Sequence, residues 1–114
     1  FRDICSVDYY RVAVDLVNQQ VTDARLYVFT NDAAWVRQHM DFVPYQLVDW
    51  NTKADSWQDM YLMTQCRHNI IANSSFSWWS AWLNENPEKV IIAPSKWFNS
   101  LEAKDIVPQE WIKI

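Results

Sequence analysis

Apolar positions recur three and four residues apart at Tyr10, Val14 and Val17, with Ala13 and Leu16 widening the stripe, which predicts a helix over Val7–Gln20. After the polar Thr22–Arg25, the β-rich run Leu26–Phe29 (LYVF) predicts a strand. Thr30-Asn31-Asp32 interrupts it, and Ala33–Met40 reads as the next helix. Tyr45–Val48 is a second short strand, flanked by Pro44 and the polar Asn51–Asp55. Ser56–Arg67 returns to helical spacing, opened by Ser56-Trp57-Gln58-Asp59 in a capping-box pattern. Asn69–Ala72 (NIIA) is a third strand, Ser75–Asn84 a short and largely apolar helix, and Val90–Ala93 (VIIA) a fourth strand. The tail, Pro94–Ile114, carries a helix-capping Ser100-Leu101-Glu102 stretch and ends close to Trp111.

Helix and strand alternate four times, the order that builds a parallel sheet covered by helices. VIIA and most of NIIA are continuous apolar runs, as strands buried on both faces must be. No repeat, linker or low-complexity tract divides the chain, so residues 1–114 are expected to form one α/β domain. In such sheets ligands sit beyond the carboxyl ends of the strands. That rule selects Thr30-Asn31-Asp32, Asp49-Trp50-Asn51, Asn73-Ser74-Ser75 and Pro94-Ser95-Lys96, all mostly polar.

Composition narrows the chemistry. With half of 114 residues hydrophobic and 16% aromatic, including eight tryptophans, the chain holds enough apolar mass for a core and is not disordered. A net charge of −4 excludes a broad nucleic-acid footprint. Glycine is absent altogether, where average usage of about 7% would supply about eight. Walker loops, G-x-G-x-x-G fingerprints and nucleophile elbows are thereby excluded. A nucleotide would have to be held by Ser, Thr, Asn and helix N-termini. Cys5 and Cys66 are far apart and read as two buried thiols of a reduced compartment, with a disulfide between them left open. His39 and His68 have no partner at metal-ligand spacing. No apolar run reaches the ~20 residues of a membrane span, and no basic-then-apolar leader follows Phe1. The expectation is an excised piece of a larger protein.

The junction Asn73-Ser74-Ser75-Phe76-Ser77 joins strand NIIA to the helix FSWWSAWL. A serine there caps the helix, and the remaining N–H groups of the first turn can face an anion such as phosphate. Capping alone is the competing explanation, worth about 1 kcal/mol per serine. Trp78, Trp79 and Trp82 could form a sugar-stacking platform, but helical spacing assigns most of them to the core.

The run from Asp59 to Leu83, DMYLMTQCRHNIIANSSFSWWSAWL, resembles the signature of the α-1,2-fucosyltransferases, glycosyltransferase family 11. Cys5–Tyr10, Tyr27–Asp32 and Val90–Phe98 resemble further stretches of that family, so the likeness covers most of the chain. It implies the Rossmann-like, C-terminal, donor-binding portion of a GT-B-type enzyme. Such an enzyme transfers L-fucose from GDP-fucose, with inversion and without a metal, to the 2-hydroxyl of a terminal galactose on a glycan acceptor. Carried over by position, Asn73, Ser74, Ser75 and Phe76 would hold the donor diphosphate and back the nucleotide. Asp32 and Asp59 match acidic positions near the donor, although either could serve only as a helix cap.

Two departures stand out. Ser80 replaces the usual Gly or Ala after Trp78-Trp79, another small side chain. The family's His-x-Arg-Arg-x-Asp motif, whose arginine would neutralise the diphosphate, is not in this sequence. Arg67 and Lys96 are the cations expected nearest the site, and this stretch alone is expected to be inactive and to self-associate through exposed apolar surface. A bacterial cytoplasmic setting is expected, with peripheral membrane association left open. Two other readings compete: a non-catalytic carbohydrate-binding or interaction module built on the tryptophans, and a transferase using a different nucleotide sugar.

Overall fold

The computed structural model describes residues 6–30, 32–48, 56–72, 74–98, 101–102, 108 and 110–114. Along them run α1 (Val7–Gln20), β1 (Tyr27–Phe29), α2 (Ala33–His39), β2 (Gln46–Val48), α3 (Ser56–Gln65), β3 (Asn69–Ile70), α4 (Ser75–Trp82), β4 (Ile91–Ala93), β5 (Lys96–Phe98), β6 (Leu101–Glu102) and β7 (Ile112–Lys113). Through β4 the expected order appears element for element.

Three helix starts are closed by side chains. Ser6 Oγ accepts from Tyr9 N at 3.4 Å, Asp32 Oδ1 from Trp35 N at 3.2 Å, and Ser74 Oγ from Ser77 N at 3.1 Å. Helix α3 begins at Ser56, the expected start, and position 55 lies outside the described residues.

The mixed α/β fold is organised around a parallel sheet in the order β3-β4-β7, with Ile70 paired to Ile92 and Ile92 to Ile112. Side chains alternate across it. Ile92 packs with Tyr9 and Ala13 of α1 on one face, joined by Ile70, Val90 and Ile112. Ile71, Ile91 and Ala93 pack on the other face with Ala81 of α4 and Trp111. Burial on both faces is what the continuous apolar runs required.

The β3–β4 ladder has a gap in its donors. Ile71 N donates to Ile92 O at 2.9 Å, and the next rung would take an N–H from residue 94, which is the buried Pro94. Tyr9 supplies the missing donor: its hydroxyl lies 2.6 Å from Ile71 O and 3.2 Å from Ile92 O. The helix is thereby pinned to the carboxyl end of both strands.

Three expectations need correction. The strands do not form one sheet: β1 and β2 make a separate parallel pair, and no ladder joins β1 to β3 among the described residues. Leu101–Glu102 is not a helix start but β6, paired antiparallel with β5 in a hairpin; Ser100 lies outside the described residues. The tryptophans of α4 are not mostly core. Small residues, Ser80 and Ala81, occupy the fully buried positions of this helix, leaving Trp79 49% and Trp82 51% exposed. Trp82 stacks on Trp78 at 5.3 Å, and Trp78 leans on buried Trp111 at 5.9 Å, so the indoles form a rim. Among the described residues no helix is long and apolar enough to cross a membrane.

Removing the Tyr9 hydroxyl tests the ladder. Tyr9→Phe leaves the Ile71 carbonyl without its donor and should cost about 1–3 kcal/mol in urea unfolding with an unchanged m-value. A cost below a few tenths of a kcal/mol would show that the hydroxyl is not needed there.

Candidate functional site

The carboxyl ends of β1 and β3 come together around one cavity of about 160 Å³. Thr30 lines it from the end of β1, and Ala72 and Ser77 line it from the end of β3 and the first turn of α4. These are the places where the sequence put two of its four polar junctions.

Each junction is built locally. Thr30 Oγ1 accepts from Asp32 N at 2.9 Å, and Asp32 then caps α2. The Asp32 carboxylate is exposed. On the other side, Ser74 N donates to Ala72 O at 2.9 Å, turning the chain directly from β3 into α4. Trp78 N donates to Ser74 O at 3.0 Å, the bond that opens the helical ladder. In α-helical geometry the N–H groups of Ser75 and Phe76 therefore lie ahead of the first intrahelical bond and point out of the helix start. Phe76 is half-buried, and its carbonyl accepts from Ser80 Oγ at 2.9 Å. Ser80 is fully buried, so the position after the paired tryptophans has room for only a small side chain.

The candidates do not all converge. Ser74 and Phe76 sit at the β3–α4 junction, Ser75 is the first residue of α4, and Asn73 lies outside the described residues. Asp32 caps α2 just past the end of β1 and, like Ser74 and Phe76, is not among the residues that line the cavity. Asp59 is half-buried in the first turn of α3, the helix packed against α4, and does not line the cavity. Asp49 to Asn51, the second junction, lies outside the described residues. Thr30 and Ser77, which sequence reasoning did not single out as individual residues, both reach the cavity. The signal for them was the same strand-end rule, applied to the flanking hydroxyls rather than to the acids.

Arg67 is not near the site, contrary to expectation. It precedes β3, whereas Ser74 follows it, and a strand advances about 3.3 Å per residue. Arg67 therefore stands at the opposite, amino-terminal edge of the sheet. The backbone of Lys96 begins β5, just past the carboxyl end of β4.

The amino-terminal edge is held by a polar network of its own. Asn84 Nδ2 donates to Asn69 Oδ1 at 2.7 Å and to Cys66 O at 2.9 Å, and Asn69 Nδ2 donates to Met63 O at 2.9 Å. His68 Nδ1 accepts from Val90 N at 2.9 Å. That bond needs an unprotonated Nδ1. Desolvation, and after it the Arg67 charge, hold the imidazole below its ordinary pKa, against a smaller opposing pull from Glu88. Burial pushes the Cys66 thiol up, away from nucleophile chemistry. Cys5 lies outside the described residues. Among the described residues no cluster of three His, Cys, Asp or Glu side chains could hold a metal ion.

Open parallel α/β sheets bind their ligands beyond the carboxyl ends of the strands, the edge at which this cavity lies. Residues 2–114 match the model of glycosyl transferase family 11, and the chain belongs to that family. The O-antigen biosynthesis glycosyltransferase WbnK of Escherichia coli is 33% identical over 115 residues, covering the whole of this chain and 38% of that protein. An alpha-1,2-colitosyltransferase of Escherichia coli is 30% identical over 118 residues, 97% of this chain and 40% of the relative. The galactoside alpha-(1,2)-fucosyltransferase 1 of Ateles belzebuth is 30% identical over 77 residues, 66% of this chain and 21% of that protein. The chain thus spans about two-fifths of the length of the two bacterial relatives. No solved structure gives a significant match.

The His68 geometry predicts a pH dependence. A base favoured in its neutral form by folding makes the unfolded chain the better proton binder, so its stabilising share is full above about pH 6.5 and declines as pH falls. The urea midpoint should drop between about pH 7.5 and about pH 5.5, and His68→Gln should reduce that drop. An identical drop in the variant would remove His68 as its source.

Proposed function

We propose that this chain is the donor-binding portion of an inverting glycosyltransferase that transfers L-fucose from GDP-fucose to the 2-hydroxyl of a terminal galactose. The domain is read as the Rossmann-like half of a GT-B-type enzyme. One observation carries the reading: Thr30 at the end of β1 and Ala72 and Ser77 at the β3–α4 junction line one cavity.

The helix faces support it. Tyr10 of α1 meets Trp35 of α2 edge-on at 6.1 Å, while α4 packs with α3 on the other side of the sheet. The chain therefore changes faces between β2 and β3, which makes the border of β1 and β3 the topological switch point where doubly wound folds bind ligands. At that border the first-turn N–H groups of α4, with the hydroxyls of Ser74 and Ser75, would receive the diphosphate, and Asn73 would complete the loop. Phe76 would back the nucleotide. Asp32 and Asp59 are assigned to the donor's surroundings. The names of two relatives carry the same 1,2 linkage. The acceptor is a galactose-terminated glycan, and no metal is assigned to the site. With a colitosyltransferase also among the relatives, a donor panel containing both fucosyl and colitosyl nucleotides distinguishes the sugar.

Calorimetry on the full-length protein tests the site. GDP should bind with measurable heat, and Ser74→Ala should weaken it about 10- to 100-fold, the loss of a hydrogen bond to a charged group. A well-folded protein with no GDP heat, but with tryptophan fluorescence quenched by galactose-terminated glycans, would replace this reading with that of a carbohydrate-binding module.

A further inference from the structure

Ser80 is fully buried on α4, and its hydroxyl is engaged there. Ser80 Oγ lies 2.9 Å from the carbonyl oxygen of Phe76, one turn back along the helix. A carbonyl oxygen can only accept, so the direction of this bond is fixed and Ser80 donates. In α-helical geometry the same oxygen takes the backbone bond from the N–H of Ser80, and its second lone pair receives the hydroxyl.

The other end of that peptide group faces the β3–α4 junction. The carbonyl of Phe76 and the N–H of Ser77 belong to one planar unit coupled by resonance. Ser77, whose residue lines the 160 Å³ cavity, donates its N–H to Ser74 Oγ at 3.1 Å. An N–H can only donate, so this direction is fixed as well. Ser74 accepts, and its own proton is turned elsewhere; among the described residues that proton has no acceptor.

Three groups are thus joined head to tail, from the Ser80 hydroxyl through the Phe76–Ser77 peptide to the Ser74 hydroxyl. A second donor on the Phe76 oxygen polarises the peptide and makes the Ser77 N–H a stronger donor. A hydroxyl that accepts a stronger bond in turn donates more strongly, a gain of about 10–30% per bond in such chains. Capping alone does not need the inner bond. At α1 the corresponding position, four residues past Asp8, is Val12, which has no side-chain donor, and Ser6 still caps Tyr9 N, at the longer distance of 3.4 Å.

We propose that Ser80 is a positioning residue of the candidate site. Its buried hydroxyl polarises the Phe76–Ser77 peptide, holds Ser74 as an acceptor on its inner side and strengthens the Ser74 proton as a donor to an anionic oxygen at the junction. The proposal rests on the donor reading for the identity of that anion, the diphosphate of GDP, and on the two hydrogen bonds for the relay itself.

A double-mutant cycle on the full-length protein tests it. Ser80→Ala removes one oxygen atom from a position with room only for a small side chain, and alanine is the better helix former, so the fold is retained. GDP affinity by calorimetry should fall about 2- to 4-fold when Ser74 is present. In the Ser74→Ala background the same change should cost less than about 1.5-fold, because the relay has lost its outer end. Equal losses in both backgrounds would assign Ser80 to packing, and no loss in either would leave it without a part in binding; each overturns the proposal. The Ser77 amide proton gives a readout that needs no ligand. Its nuclear magnetic resonance signal should move upfield in Ser80→Ala, while that of Trp78, which donates to Ser74 O from a different peptide, stays in place. An unmoved Ser77 signal overturns the relay even where GDP binds. Where GDP gives no heat but the signal moves, the donor reading falls and the relay stands.

Discussion

The contact between Tyr9 and the end of the β3–β4 ladder positions the helices on both faces of the sheet. A proline in a central parallel strand deprives its neighbour of a donor, and Pro94 sits where Ile71 needs one. Filling that rung from a helix rather than from a strand has a positional consequence. α1 must start level with the carboxyl ends of β3 and β4, and its apolar stripe must lie on Ile70, Ile92 and Ile112. The opposite face is then left to α4, which meets it with buried Ala81 and with Trp78, while Ser80 is fully buried beside them. Helix α4 can approach the sheet that closely only because Ser80 and Ala81 are small. The same close approach brings its first turn to the edge of the cavity.

Absence of glycine imposes a second constraint. Helix ends and tight turns ordinarily use its freedom at positive φ, and here the one described residue in that region is Asp23, at φ 57°. Other ends are closed by side chains. Lys89 Nζ donates to Ala81 O at 3.3 Å and Asn84 O at 2.8 Å, satisfying carbonyls at the end of α4. Asn86 Nδ2 donates to Arg67 O at 2.9 Å, and Asn84 Oδ1 accepts from Asn86 N at 2.9 Å. Among the described residues, Asn69, Asn84 and Asn86 close the amino-terminal edge of the sheet, while Thr30 and Ser74 turn the chain at the carboxyl edge.

Much of the architecture was legible from periodicity. Helix α1 coincides with its expected span because its stripe is long and its cap at Ser6 is unambiguous. Strands β1 to β4 fall inside their apolar runs, shortened where ladder partners end. What periodicity could not show depends on tertiary partners. Leu101–Glu102 carries helix-start residues, yet pairing with β5 overrides local preference. Ile112–Lys113 is too short to announce itself and becomes a strand only against β4. The split between β1 and β3 was invisible because pairing order is not written in either run. For the tryptophans, spacing identified the face of α4 but not how near the sheet lies, and it is that distance which expels the large rings. At the candidate site, proximity in sequence wrongly brought Arg67 to the carboxyl edge, because sequence distance does not say at which end of β3 a residue lies.

Capping and ligand binding at the β3–α4 junction are compatible, and the reason lies in the number of lone pairs. A serine hydroxyl has one proton and two acceptor sites, and the cap on Ser77 N engages a single acceptor of Ser74. Its proton is still available to a phosphate oxygen. Asp32 differs. An ionised carboxylate only accepts, and against a diphosphate it adds repulsion rather than a bond. If Asp32 meets the donor, it does so through hydroxyl or N–H groups of the ribose or base, on the far side of the cavity from the phosphates. The helix start contributes about half a positive charge, which cannot offset a diphosphate alone. Arg67, at the other edge of the sheet, does not supply that charge.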